Sequence, residues 1–255
     1  MLKKILALSL VLIMVLVCMS ACGSKTLTTA DVQKAGKLVI GTSPDFPPFE
    51  SLNNGKVEGI EIEIMELICD ELGVELEIKQ MDFDSVLPGV QAGKFDVGVS
   101  GISVTPDREK NTLFTTPYCL AAQAIVVTAD SPIASKADLT GKTVSVQTGT
   151  TAEEFCLGNG YTVKAYQANA DAELALTTGK VDAWVVDNLT AMQMVQEGDG
   201  LVVLEEKMTE EPYAFAFAKG SEDLVAEINK SLEKLINNGT VENIFTDFGE
   251  AYSKP

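Results

Sequence analysis

Two stretches of this chain repeat one another. "AGKFDVGVSG" spans 92–101, and "TGKVDAWVVDN" follows eighty-six residues later at 178–188. Each reads as the end of a helix, a Gly-Lys turn, and an Asp leading into an apolar strand. Solenoid repeats recur every ~20–50 residues, so this spacing is too long for one. It suits two α/β lobes, each holding one copy. In open α/β sheets, ligands sit beyond the carboxyl ends of the strands. The first copy delivers Ser100, Gly101 and Ser103 to such an edge, and the second delivers Asp187. Two such edges facing one another make a cleft.

The remaining segments have the same grammar. "KLVIGTS" at 37–43 is β-rich and runs into the breaker cluster "PDFPPFE". "GIEIEIMELICDELG" places Ile60, Ile64, Leu67, Ile68 and Leu72 at helical spacing, with Gly73 as the stop. "VELEIKQMD" alternates as a strand, and Asp84 is placed to cap the short helix "SVLPGVQAG". Downstream, "AIVVTA", "KTVSVQT", "YTVKAYQ", "VDAWVVD" and "LVVLEE" read as strands, with helices between most of them. "YAFAFAKG" is a last strand before a long amphipathic helix whose buried face is Leu224, Ile228, Leu232, Leu235 and Ile236. This order predicts an α/β fold of two Rossmann-like lobes with mostly parallel sheets.

Composition narrows the chemistry. The 255 residues suffice for one large domain or two small ones. Histidine is absent, which excludes Ser-His-Asp and Cys-His catalysis and His-ligated metal sites. The 37 acidic residues outnumber 19 basic ones, a net charge of −18 that repels nucleic acid. The acids of "EIEIMELICDE" fit the solvated face of a helix, and no cofactor or metal is expected. Lys3 and Lys4, an uncharged run from Ile5 to Val17, and small residues before Cys22 form a signal segment over 1–21. That run falls short of the ~20 residues that span a bilayer. "MSAC", Met19 to Cys22, resembles the lipobox of bacterial lipoproteins, in which the Cys is lipidated and becomes the mature N-terminus. Residues 22–36 then read as a polar tether. Lipidation or simple cleavage both place the protein outside the cytoplasm. Cys69, Cys119 and Cys156 remain, at spacings wrong for zinc; Cys69 lies in a helical apolar stripe, and a Cys119–Cys156 bridge stays open.

Four constellations lie at strand ends. Ser43, Asp45 and Phe46 follow the first strand, either as a proline-rich turn or as a site. Arg108 follows Ser100 and Ser103, either as a solvated arginine or as a fork that grips a carboxylate. Thr150 with Glu153 fits a capping box, and the same helix N-terminus, with Thr151, can receive an anion. Asp187 ends the apolar run "AWVVD", either capping the next helix or neutralising an ammonium.

The motifs "VIGTSPDFPPFE", "VEGIEIEIMELI", "FDSVLPGVQAGKFDVGVSGISVTPDRE", "LTGKTVSVQTGTTAEEF", "LALTTGKVDAWVVDN" and "FAKGSEDL" run in order from about Lys37 to Phe248. Together they resemble the extracellular solute-binding proteins of polar amino-acid ABC transporters. The resemblance implies a monomer that captures a free amino acid and delivers it to a membrane permease with its ATPase. It implies that Arg108, helped by Thr151, clamps the α-carboxylate. Asp187 would pair with the α-ammonium, assisted by Gly101 and Ser103. Phe46 and Phe83 would sandwich the side chain, with Ser43, Asp45, Glu61 and Gln147 nearest its tip. The chain should cross between lobes near 120–124 and 214–218. Lobe one is then 37–121 with 218–255, and lobe two is 122–217. Members that take cationic amino acids commonly carry Asp where Ser43 stands, so a polar neutral or sulfur-containing ligand is favoured, with a cationic one left open by Asp45 and Glu61. Rival readings are an enzyme on this fold, such as a cyclohexadienyl dehydratase, and a ligand sensor. Without histidine no poised acid–base pair is identifiable, and no second apolar run suggests a sensor's membrane segment.

Overall fold

The structure, a computed structural model, describes residues 26–196, 198 and 200–255. The expected signal segment 1–21 and the lipidation site Cys22 lie outside the described residues.

Both copies of the repeated unit perform the same mechanical task. Gly93 (φ +65°) and Gly179 (φ +68°) end their helices in the left-handed conformation that glycine adopts without strain. The chain then turns so that Asp96 and Asp182 each grip a neighbouring strand twice. Asp96 donates its N–H to the Val39 carbonyl, and its carboxylate accepts the Val39 N–H, both at 2.8 Å. Asp182 does the same to Thr143, again at 2.8 Å in both bonds. Lysines on the outer strands close the turns: Lys79 donates to the Lys94 carbonyl and Lys164 to that of Lys180. The repeat is therefore a clamp that fixes the register of each lobe's first parallel strand.

Two five-stranded sheets follow. In the first, the spatial order is Glu75–Gln80, Lys37–Thr42, Val97–Gly98, Ala216–Ala218 and Thr112–Phe114. In the second it is Thr162–Tyr166, Thr143–Gln147, Ala183–Asp187, Gln123–Thr128 and Leu201–Val203. The outer three strands of each run parallel to one another. One strand per sheet, Ala216–Ala218 or Gln123–Thr128, is inserted antiparallel to both neighbours. The inserted strands are the ones that arrive from the opposite lobe. The crossing is a two-stranded antiparallel ribbon, Cys119–Ala121 against Glu211–Tyr213. Ala216–Ala218, expected at the crossing, already lies within the first sheet. The chain's last residues make a third link: Leu120 donates its N–H to the Ser253 carbonyl at 2.9 Å, and Gln193 donates to Glu250 at 2.6 Å.

Helices cover the sheets by burying apolar faces. Helix Ile60–Leu72 buries Ile60, Ile62, Ile64, Met65, Ile68 and Cys69. Helix Glu222–Asn237 buries Leu224, Ile228, Leu232 and Leu235, and each such aliphatic contributes about 1.5–3 kcal/mol. Cys69, Cys119 and Cys156 are free and buried, and burial pushes each thiol up to about 12. The tether is shorter than expected. Thr29–Ala35 is a helix, because Thr28 and Asp31 form a capping box and Val32 anchors in the core. Asp84 does not cap the helix Val86–Gln91; it accepts from the Ser85 hydroxyl instead.

The clamp predicts matched costs in the two lobes. Asp96→Ala and Asp182→Ala should each destabilise the protein by about 1.5–3 kcal/mol, the range for a hydrogen bond to a charged group. Urea denaturation checks this; a loss in only one lobe would contradict the equivalence.

Candidate functional site

The carboxyl ends of the two sheets face each other across a narrow cavity. Ten of the residues expected at a site line it: Phe46, Phe83, Ser100, Gly101, Ser103, Arg108, Gln147, Thr150, Thr151 and Asp187. Ser43, Asp45 and Glu61 do not. Ser43 turns its hydroxyl to Asp45 at 3.0 Å. Glu61 is fully buried behind the wall, accepting from the Gly101 N–H at 2.8 Å and the Tyr118 hydroxyl at 2.6 Å.

Asp45 reaches across to the other lobe instead of into the cavity. Its carboxylate accepts from the Gln147 amide at 3.1 Å and from the Asn169 backbone N–H at 2.9 Å. Asn169 also donates to the Asp45 carbonyl and to the Gln147 side-chain oxygen. Burial raises the Asp45 pKa against these donors. The pair of lobes is thus latched at one end of the cavity by Asp45.

At the other end stands Arg108. Thr105 caps its short helix, Pro106–Glu109, by accepting the Arg108 N–H. The guanidinium donates to the Ser103 carbonyl at 2.9 Å and, across the cleft, to the Gly149 carbonyl at 3.1 Å. It lies 5.8 Å from the centroid of the Phe83 ring, within cation–π range. Two of its five N–H donors are used in these bonds, leaving others for an anion. Burial lowers its pKa, opposed by the charges of Glu154, Glu211 and Asp187. The second anion-seeking feature is the N-terminus of helix Thr151–Gly158. Thr150 caps it by accepting the Glu153 N–H at 3.2 Å. Glu153 returns its carboxylate to the Gly149 N–H, one residue before the position a capping box would use.

Asp187 holds the N-cap position of helix Asn188–Met194, yet its side chain makes no capping bond. It is 8% exposed and accepts from the Gln123 amide at 3.1 Å. Burial first, and the Glu211 charge second, push its pKa up to about 7. No ion pair reaches it among the described residues. The cavity therefore presents an arginine from one lobe and an uncompensated carboxyl from the other. A small molecule bearing both charges satisfies each.

Sequence reasoning missed Gln123, Asn169, Glu211 and Tyr213. Gln123 donates to both Thr151 and Asp187, and it faces Asp187 in register. Only the antiparallel insertion of its strand brings it there, and "LAAQAIVVTA" carries no local sign of that. Tyr213 is visible in "EPYAF" as an aromatic beside the crossing; it packs edge-on against Phe49 at 5.1 Å.

Two sheets of one topology, a two-stranded hinge and a cavity charged oppositely from its two sides define a bilobal small-molecule-binding protein. The chain belongs to the bacterial extracellular solute-binding proteins, family 3, whose family profile matches residues 38–251. It is similar to the arginine-binding extracellular protein ArtP of Bacillus subtilis (33% identical, covering 89% of this chain and 90% of that protein). It is similar to the L-cystine-binding protein TcyJ of Escherichia coli (31% identical, covering 83% and 82%). Among solved structures it resembles the ancestral amino acid-binding protein AncCDT-1, a precursor of cyclohexadienyl dehydratase (TM-score 0.81, 32% identical, covering 86% and 98%). Among the described residues no helix is long and apolar enough to cross a membrane.

Gly101 sets the shape of the cavity wall. Its φ is +52°, and a Cβ there would lie 2.4 Å from the Phe46 ring. Gly101→Ala should destabilise the protein by about 1–3 kcal/mol and displace Phe46. Urea titration with near-UV circular dichroism reads both effects; unchanged stability would contradict the close approach.

Proposed function

We propose that this protein captures a free α-amino acid by closing its two lobes on it and hands it to an ABC-type membrane permease, held at the membrane by a lipid on Cys22. The observation that carries the reading is the opposition of Arg108 and Asp187 across one small cavity. Arg108 and the helix N-terminus at Thr151 receive the carboxylate. Asp187, with the Ser103 and Gly101 side of the wall, receives the ammonium. Phe46 and Phe83 flank the side chain, and Gln147 stands at its end. The binding-protein names of the relatives support the class. The protein acts as a monomer, by the same reading.

The lining favours a polar neutral or sulfur-containing side chain. Among the described residues Asp187 is its one carboxylate, and Asp45, the next acid along, is already occupied by donors from Ser43, Gln147 and Asn169. A cationic side chain is the second reading, favoured by the arginine-binding relative, and requires Asp45 to give up its latch. Calorimetry with L-glutamine, L-cystine and L-arginine separates the two. Binding of none would overturn the function.

Removing either charge strands the other in a desolvated site. Arg108→Ala and Asp187→Asn should each cost about 2–5 kcal/mol of binding, a loss of roughly 30- to 4,000-fold. Calorimetry of the variants checks this, and a change below about threefold would contradict the assigned roles.

Binding should also follow Asp187's protonation. In the ligand-free fold the neutral form is preferred, so Asp187 makes stability fall as pH rises from about 4 towards about 7. An ammonium selects the ionised form. Affinity should therefore be roughly 100-fold weaker at pH 5 than at pH 8, with proton release on binding. The Asp187→Asn profile should be flat over that range. An equal pH dependence in the variant would assign the effect to another group.

A further inference from the structure

Glu50 and Glu61 are both fully buried and lie against one another behind the Ser100–Gly101 wall of the cavity. Glu61 accepts from the Gly101 N–H with one oxygen and from the Tyr118 hydroxyl with the other. Glu50 accepts from the Ser100 hydroxyl at 2.8 Å, and that hydroxyl oxygen accepts the Ser43 N–H at 3.0 Å. The second oxygen of Glu50 is sealed from solvent and receives no N–H or O–H donor. The four ion pairs among the described residues lie elsewhere, so no lysine or arginine offsets either group.

Two touching carboxyls cannot both ionise in such a place. The donors decide where the proton sits. Glu61 has two and Glu50 has one, so Glu61 carries the charge and Glu50 keeps the proton, with its free oxygen as the donor to Glu61. Burial and the neighbouring charges of Glu61 and Asp45 push the Glu50 carboxyl well above its usual range. Burial raises Glu61 too, held back by its hydrogen bonds to Glu50, Tyr118 and Gly101.

We propose that Glu50 and Glu61 form a one-proton carboxyl pair that positions the Ser100–Gly101 wall and makes it selective for an ammonium. The pair consumes the Gly101 N–H and the Ser100 O–H, and through Ser100 the Ser43 N–H. This stretch of wall is left with acceptors for the cavity, backed by a fixed negative charge. A carboxylate placed there would meet neither the Gly101 N–H nor the Ser100 O–H. The proposal rests on the capture of an amino acid described above, and it makes Glu50 and Glu61 positioning residues that do not touch the bound molecule.

The test exploits an asymmetry between two chemically identical residues. Glutamine at position 50 supplies a donor where the proton was; glutamine at position 61 puts a donor where two are already aimed. Calorimetry with L-glutamine and L-arginine in parallel should show Glu50→Ala weakening binding by about 10- to 100-fold. Glu50→Gln should restore it to within about threefold of wild type, whereas Glu61→Gln should remain about 10- to 100-fold weak. Infrared spectroscopy of the ligand-free wild type at about pH 9, where ordinary carboxyls are ionised, should show the carbonyl stretch of a protonated acid, absent from Glu50→Gln. A missing acid band, a band that survives Glu50→Gln, or equal tolerance of glutamine at both positions would overturn the pair. The band is read without ligand and needs only the wild type and its isosteric variant. If neither amino acid binds the wild type, the capture reading fails while the band still decides the pair.

Discussion

A carboxyl shut away from water, with no ion-pair partner among the described residues, is the constraint on which the cleft depends. Asp187 ends an apolar strand in the second sheet, and burial, with the Glu211 charge, pushes its pKa up to about 7 because its hydrogen bonds do not replace lost solvation. The opposite lobe answers with a guanidinium that is likewise desolvated and spends part of its donor capacity on carbonyls from both lobes. Neither group is satisfied by the closed protein alone. A ligand carrying complementary charges turns two penalties into two charge-assisted contacts, which is a physical reason for closure to follow binding.

The fold delivers these groups by building one topology twice. In each sheet the repeated Gly-Lys-x-Asp turn clamps the first parallel strand, so polar residues at strand ends reach the same edge in both lobes. Each lobe also takes one antiparallel strand from a crossing, which ties sheet geometry directly to the hinge. Asp45 adds a latch that exists only when the lobes meet, through Gln147 and Asn169. Closure is therefore read at both ends of the cavity, by a latch at one and an arginine bridge at the other.

Much of this was legible in the sequence because it is local. Ser100, Gly101 and Asp187 stand directly after apolar strands, and the helix N-terminus at Thr150–Thr151 announces itself by its cap. What failed to be legible depends on how elements dock. Glu61 opens a helix, and nothing in "GIEIEIM" says whether that first turn faces the cavity or the core behind it; the docking sends it to Gly101 and Tyr118. Asp45 looks like a ligand contact in the local sequence because its partners, Gln147 and Asn169, lie a hundred residues or more away. Glu50 was hidden in a breaker cluster, and Gln123 was invisible without the register that sets it opposite Asp187. The helix Thr29–Ala35 was missed because a seven-residue element has little periodicity to show.

The most direct measurement removes the charges from the ligand in place of the protein. Calorimetry would compare an amino acid that binds with its analogues lacking the α-ammonium or the α-carboxylate, on wild type and on Asp187→Asn. The opposition of Arg108 and Asp187 predicts that both analogues bind far more weakly to wild type, and that the loss from deleting the ammonium largely disappears in Asp187→Asn. An ammonium-free analogue that binds wild type as tightly as the amino acid, or a loss that persists unchanged in Asp187→Asn, would contradict it.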